Sequence, residues 1–452
     1  MKRVTKIALV ASSIVIAACS SSTATSDGGT KEAGAGDGSV GDAGAYVDLR
    51  IDTFNLGLAG SFVPNEVARR PASIAALGNA ETDVLCIQEA WSKSDKEAII
   101  AAAKVNFPYE AHFETDLDTA VTDNKDINGA APPAYTTAPC VSDQADALGV
   151  GLDCLKDSCS TVPGSLDGMA TSTECAKAKC AGSAVKLLFA ADKRCYGCFA
   201  ATLPTSTFNE IKSECTTNVH GGLAYKGQNG VLLLSRFPLS KPMQVVLPGT
   251  WTRRTVTKAT ATLANSAEVD LYCTHLSPYF SDTTFYPYTG QYGAGDANGW
   301  IAEQTLQAKQ IVAWVSAQTG TKRAILMGDL NATPEDKAHG IGDPGDAGTL
   351  LPAYGAKTLA ALASFQEAVA TGYTPVCTFC VANQNTDGDQ NSWIDHIFLS
   401  GFSAGSTVTT ARTFDTDVVD GLRRADDGKH TVPGKVPLSD HYGIRATVRV
   451  TP

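Results

Sequence analysis

This chain of 452 residues has no surplus of basic charge: 36 lysines and arginines stand against 47 acidic residues, a formal net charge of −11. That balance excludes a broad electrostatic grip on nucleic acid, although a local basic rim or a bound cation can still hold a phosphate. Past residue 18 there is no apolar run long enough to span a bilayer. No internal repeat is evident. What remains is ordinary for a globular protein, 43% hydrophobic and 18% charged, with length for a large core and for two or three domains by length alone.

The start of the chain reads as a targeting segment. Met1-Lys2-Arg3 and Lys6 are basic, and Ile7 to Ala18 is apolar but too short for a membrane span. Ile16-Ala17-Ala18-Cys19 resembles a bacterial lipobox, which implies lipidation at Cys19 and, with Ser20 following, anchoring to the outer membrane. The competing reading is an ordinary secretory peptide cleaved nearby. Residues 20–46 are Ser, Thr, Gly, Ala and Asp with few large apolar side chains. Such a stretch buries too little surface to offset its ordering entropy and is expected to be a flexible tether. The expected order is therefore a signal peptide at 1–19, a tether at 20–46 and an exported folded body at 47–452.

Eight of the 13 cysteines crowd into 140–215: Cys140, Cys154, Cys159, Cys175, Cys180, Cys195, Cys198 and Cys215. In an exported chain this density reads as a disulfide-rich insertion. Cys195-x-x-Cys198 and Cys377-x-x-Cys380 also have zinc-ligand spacing, but no histidine completes a set. Cys377 and Cys380 suit a tight local disulfide. Cys86 and Cys273 lie within apolar runs and are expected to be buried, their pairing open.

Apolar runs of strand length and helical periodicities alternate along the body, the pattern of an α/β protein. Strands are expected from Leu49 into Asn55, at 84–91, 231–235 and 253–263, before His275 and Asp329, after Asp395, and over the last residues. Helices are expected at 66–79, with Val67, Ile74 and Leu77 on one face, at 93–103 and at 302–317. Six polar motifs punctuate the strands: Thr53-Phe54-Asn55, Gln88-Glu89, Thr274-His275, Gly328-Asp329-Leu330-Asn331, Asp395-His396 and Ser439-Asp440-His441. Strand interiors are apolar while strand ends face ligands, so six polar ends make one acidic, histidine-containing pocket if the strands are neighbours. An unpaired Glu89 at the end of a buried run is costly, and a hard cation would relieve it. His441 can act as a base toward water if Asp395 holds its other ring nitrogen. Asp329 and Asn331, two apart, are expected to point to one side. Each residue alone is more often structural; the combination is what points to metal-assisted phosphoester hydrolysis.

In this order the motifs closely resemble the endonuclease/exonuclease/phosphatase superfamily, over about 48–139 and 216–452 with the cysteine-rich stretch inserted. The resemblance implies a four-layer α/β sandwich of two packed mixed β-sheets flanked by helices. It implies Mg²⁺ or Mn²⁺ at Asn55 and Glu89 with Asp440 nearby, His441 as general base oriented by Asp395, and His275 on the phosphate. Asp329 and Asn331 would position the nucleophile and stabilise the transition state. Arg236, in NGVLLLSRFPL, occupies a familiar place and is expected among the substrate contacts. So are Tyr279 and Tyr286, in an aromatic loop at 276–299 that ends at Trp300. Arg253-Arg254, Lys258 and Arg423-Arg424 could line a phosphate path, but such pairs are usually solvated surface. The expected substrate is a phosphodiester, either nucleic acid or a phospholipid headgroup as in sphingomyelinases, handled by a monomer. Few clustered lysines disfavour a polyphosphoinositide substrate. A surface binding module on the same fold is the rival.

Overall fold

The computed structural model describes residues 46–113, 138–159, 180, 193–202, 206–217, 223–249, 251–279, 297–319, 322–341, 355–386, 391–425 and 431–452. Cys19, Tyr286 and most of the 276–299 loop fall outside these residues.

Two six-stranded sheets make the frame. In the first, β1 (Val47–Leu58) lies between β2 (Val84–Ala90) and β14 (Gly443–Val450); β4 (Leu232–Ser235) and β3 (Tyr109–Ala111) extend one side and β11 (Thr407–Thr413) the other. In the second the order is β5 (Leu239–Leu247), β6 (Arg254–Thr262), β7 (Glu268–His275), β8 (Arg323–Asp329), β10 (Asp395–Ser400) and β9 (Gln366–Glu367). A separate hairpin joins β12 (Val419–Arg424) to β13 (Thr431–Val436). Among the described residues, β1 with β2 and β7 with β8 pair in parallel and the other pairs are antiparallel, so both sheets are mixed.

The sheets pack face to face through alternate residues. Leu49, Ile51, Val84 and Cys86 from one meet Leu271, Cys273, Ile325, Met327 and Ile397 from the other. The residues between them in sequence face outward. Leu85 and Ile87 pack with Leu77 of α1 (Glu66–Gly78) and Ile99 of α2 (Lys93–Ala103). Tyr272 and Leu326 pack with Ala308, Ile311 and Val315 of α6 (Ala297–Thr319). Burial on both faces explains why these strands read as continuous apolar runs. The result is the expected four-layer sandwich.

Among the described residues, the cysteines of the insertion pair as disulfides and not as a zinc set. Cys195 pairs with Cys140, Cys198 with Cys215, and Cys154 with Cys180, so the two halves of the C-x-x-C spacing serve different bridges. They staple helices α3 (Asp143–Cys159), α4 (Lys193–Thr202) and α5 (Phe208–Thr216) around Leu148, Leu152 and Ile211. Cys377 pairs with Cys380, and Cys86 with Cys273 across the two sheets.

Two local expectations are corrected. Val67 is exposed, because α1 turns Arg69, Ser73 and Leu77 inward instead. Trp300 does not close a loop; it is buried within α6.

Candidate active site

The inward stripe of residues turns polar at one end of the sandwich. Ile51 and Thr53 lead to Asn55, Cys86 to Gln88, Cys273 to His275, and Met327 to Asp329, while Asp395 precedes Ile397. β1, β2, β7 and β8 finish at this end, and the antiparallel β10 and β14 begin there. Asp395 is registered opposite Asp329, and His275 beside Asp329. Polar groups at strand ends thus gather at one end of the apolar centre, where Gln88 Nε2 meets Cys86 Sγ at 2.8 Å.

Asp329 is the hub. Its Oδ2 accepts a 2.8 Å hydrogen bond from Asn55 Nδ2 and lies 3.3 Å from His275 Nε2 and 3.8 Å from His441 Nε2. Its Oδ1 accepts from the Asn331 amide at 2.8 Å. The two flanking imidazoles, above all His275, hold its carboxyl below the usual range despite burial. Asn331 lies past the end of β8 in a left-handed conformation (φ 49°), so strand alternation does not align it with Asp329. The turn does so instead, and places Asn331 Nδ2 3.1 Å from His275 Nε2.

His441 is held by Asp395, Nδ1 to Oδ2 at 2.9 Å, with both side chains buried. Asp395 and Asp329 raise the imidazole well above its usual pKa against the opposing effect of burial. His275 behaves in the opposite way. Burial and then Arg254 push it down to about 4, so it is neutral at physiological pH.

On the other flank, Glu89 falls one residue out of phase with the inward stripe. Its left-handed backbone (φ 58°) corrects this, bringing Oε1 to 4.0 Å from His275 Nε2. A non-glycine residue in that region carries roughly 1–3 kcal/mol of strain, typical of a functional site. Gly230 accommodates it: a Cβ there would stand 3.2 Å from Glu89 Cα and 3.0 Å from the Trp91 ring. Burial, Asp440 and Asp329 raise the Glu89 carboxyl to about 7. Asp440 presses on the end of β1, its Oδ1 2.3 Å from where a Cβ on Gly57 would sit. Gly57 N in turn donates to Asn55 Oδ1 at 2.9 Å.

Repelling carboxylates beside an amide oxygen are hard donors that fit a divalent cation. Glu89, Asp440 and Asn55 meet that description. Asp329, Asp395 and His441 also converge, with potential ligand atoms within 4.8 Å of one another. There, however, the Asp395–His441 hydrogen bond already uses one imidazole nitrogen, which suits a base and its orienter better than a ligand set.

Arg236 does not reach this end. β4 runs antiparallel to β2, so Arg236 lies by the start of β2, where its amide donates to Asp83 O at 2.9 Å and Nη2 to Ala80 O at 3.1 Å. Tyr279 lies half-buried just beyond His275. Lys258 is not on a phosphate path; it pairs with Asp270 at 3.3 Å within the second sheet.

Of two buried arginines near the site, Arg69 was not legible in the sequence. Arg69 is fully buried and donates to Pro64 O, Leu56 O, Gly57 O and Leu438 O at 2.8–3.0 Å. It clamps the end of β1 to the segment leading into Asp440. Arg254, which the sequence left between a phosphate path and solvated surface, is 2% exposed and lies over the Trp91 ring at 5.7 Å. A cation beside the apolar stripe of a helix looks like solvated surface in sequence, and nothing in the spacing marks Arg69.

A model of the "Endonuclease/Exonuclease/phosphatase family" matches residues 53–441. No curated protein matches the sequence. Among solved structures, sphingomyelinase C from Streptomyces griseocarneus is 15% identical with a TM-score of 0.47, covering 89% of this chain and 99% of its own. Beta toxin from Staphylococcus aureus, a mutant with bound magnesium ions, is 13% identical with a TM-score of 0.44, covering 89% and 100%. An endonuclease/exonuclease/phosphatase family protein from Bacteroides thetaiotaomicron is 11% identical with a TM-score of 0.43, covering 90% and 98%. Likenesses this distant carry no argument about substrate.

Proposed function

The chain belongs to the endonuclease/exonuclease/phosphatase family, and from that premise we propose that it is an exported, divalent-metal-dependent phosphodiesterase acting on nucleic acid or a phospholipid headgroup. The observation that carries this reading is the line Asp395–His441–Asp329, with His441 Nδ1 on Asp395 and Nε2 3.8 Å from Asp329 Oδ2.

In this reading Asp395 fixes the proton on His441 Nδ1, so Nε2 is the atom that accepts a proton from water. Asp329 orients that water, and Asn55 holds Asp329 by its amide. His275, kept neutral, donates to a phosphoryl oxygen through Nε2, and Asn331 Nδ2 donates beside it. Glu89, Asn55 and Asp440 hold Mg²⁺ or Mn²⁺, which neutralises charge on the phosphoryl oxygens when bound. The disulfides Cys86–Cys273, Cys140–Cys195 and Cys154–Cys180 support maturation in an oxidising compartment. Lipidation at Cys19 would then tether the enzyme to the outer membrane.

The test is product release from plasmid DNA and from sphingomyelin vesicles, side by side, with Mg²⁺ or EDTA and with His441→Ala as control. Turnover of one substrate that vanishes with EDTA and with the variant is expected. Binding of either substrate without turnover under any divalent ion would support a binding module instead.

A further inference from the structure

We infer that Arg254 is a substrate-binding residue, its guanidinium laid on Trp91 to grip a phosphoryl oxygen of the phosphodiester. The inference rests on the phosphodiesterase reading for its substrate class.

The two buried arginines near Glu89 differ in one respect. Arg69 makes four hydrogen bonds through all three of its guanidinium nitrogens, every one ending on a backbone carbonyl. Arg254 Nε and Nη1 have no hydrogen-bond partner among the described residues. Leaving buried charged donors unmet costs more than leaving neutral ones unmet, so a fully structural role is a poor account of this side chain.

Position supplies the second observation. β6 runs antiparallel to β7, with Val256 opposite Thr274, so Arg254 begins its strand at the end where Thr274-His275 finishes the next one. Its strongest charge neighbours are Glu89 and Asp329, and it is itself a leading influence on His275. The guanidinium therefore stands among the groups proposed to hold the cation and the phosphate.

Its mounting is rigid. Trp91 follows Glu89-Ala90 directly and stacks on Tyr225 at 4.2 Å with rings 2° apart. Tyr225 is fixed by its hydroxyl, which donates to Ala59 O at 3.0 Å. Ala201 of α4 in the cysteine-rich insertion packs into the same cluster, so the insertion buttresses this wall. A planar fork held against an aromatic face matches a phosphate's paired oxygens better than a flexible ammonium would.

Inorganic phosphate is the probe, titrated calorimetrically into the full chain with Mg²⁺ and again with EDTA. Bis(p-nitrophenyl) phosphate supplies a parallel kinetic readout. Arg254→Gln is expected to weaken phosphate binding roughly ten- to a hundredfold in both conditions, the range for a charged hydrogen bond. Arg254→Lys keeps the charge without the fork and is expected to recover only part of that loss, while remaining folded by circular dichroism. Phosphate binding by both variants equal to wild type, or a change in Mg²⁺ affinity alone, would overturn the inference and leave Arg254 a counter-charge to Glu89. Loss of phosphate binding in the variants when wild type hydrolyses no phosphodiester would keep the inference and sink the enzymatic reading.

Discussion

His441 is asked to accept a proton while lying between two carboxylates. Those carboxylates raise its pKa well above the ordinary 6.5, so the neutral form needed by a base is lost at a higher pH than for a free histidine. Activity should therefore rise with pH, with an acid limb centred above the ordinary histidine value of 6.5. Asp395→Asn removes the raising charge and leaves only a neutral, weaker acceptor for Nδ1. It is predicted to shift the limb downward and to lower kcat/KM by roughly 10²–10⁴. A pH–rate profile of that variant superimposable on wild type would reject the base assignment. At this scale the sequence was informative about residue types: Asn55, Glu89, His275, Asp329, Asn331, Asp395, Asp440 and His441 do share one end of the sandwich. It misjudged Arg236, because a motif fixes a strand but not which end of it meets the ligand.

At the scale of elements, the site depends on strands from two sheets keeping their axial alignment. Cys86 lies two residues before Gln88 and Cys273 two before His275, and their disulfide joins the sheets across a separation of 187 residues. Replacing both cysteines with alanine is predicted to cost about 2–5 kcal/mol of stability, by urea unfolding. Reductant should cost wild type at least as much, because the four other described disulfides open as well. An unchanged midpoint would show that packing alone sets the alignment. The helices at 66–78 and 93–103 and the strands at 84–90 and 254–262 form where the sequence pattern places them, although Val67 faces outward and the last strand is buried on both faces. The strands β5, β11, β12 and β13 did not stand out, since their faces are largely exposed and lack an apolar stripe. The helices of the insertion were hidden for another reason: disulfides, and only a small apolar cluster, hold them together.

Across the whole molecule, the acidic end of the sandwich is stable only in certain charge states. Glu89 titrates near 7 instead of at the usual 4.5, because burial and the nearby Asp440 and Asp329 disfavour its charge. A raised acid pKa gives stability that is complete below about 4.5 and is lost as pH rises through about 7. Metal-free protein should accordingly lose Tm across that window, and Mg²⁺ should restore it by binding the folded state. Glu89→Gln is predicted to flatten the loss in EDTA and to abolish the Mg²⁺-dependent gain in Tm. Equal Mg²⁺ shifts in variant and wild type, by thermal unfolding at pH 5 and pH 8, would move the cation away from Glu89.

The sequence by itself determined which residues are polar at strand ends and that apolar runs of strand length alternate with helical ones, because those patterns are local and each is written in neighbouring residues. The four-layer architecture and the common end of its polar stripe follow from those patterns once the two sheets face each other. Only the tertiary structure decided the rest. It turned Glu89 inward through a left-handed backbone over Gly230, and paired Cys86 with Cys273. It sent Arg236 to the far end and buried Arg254 against Trp91. Each of these depends on close approach between segments far apart in the chain, and no spacing along the sequence encodes a distance through space.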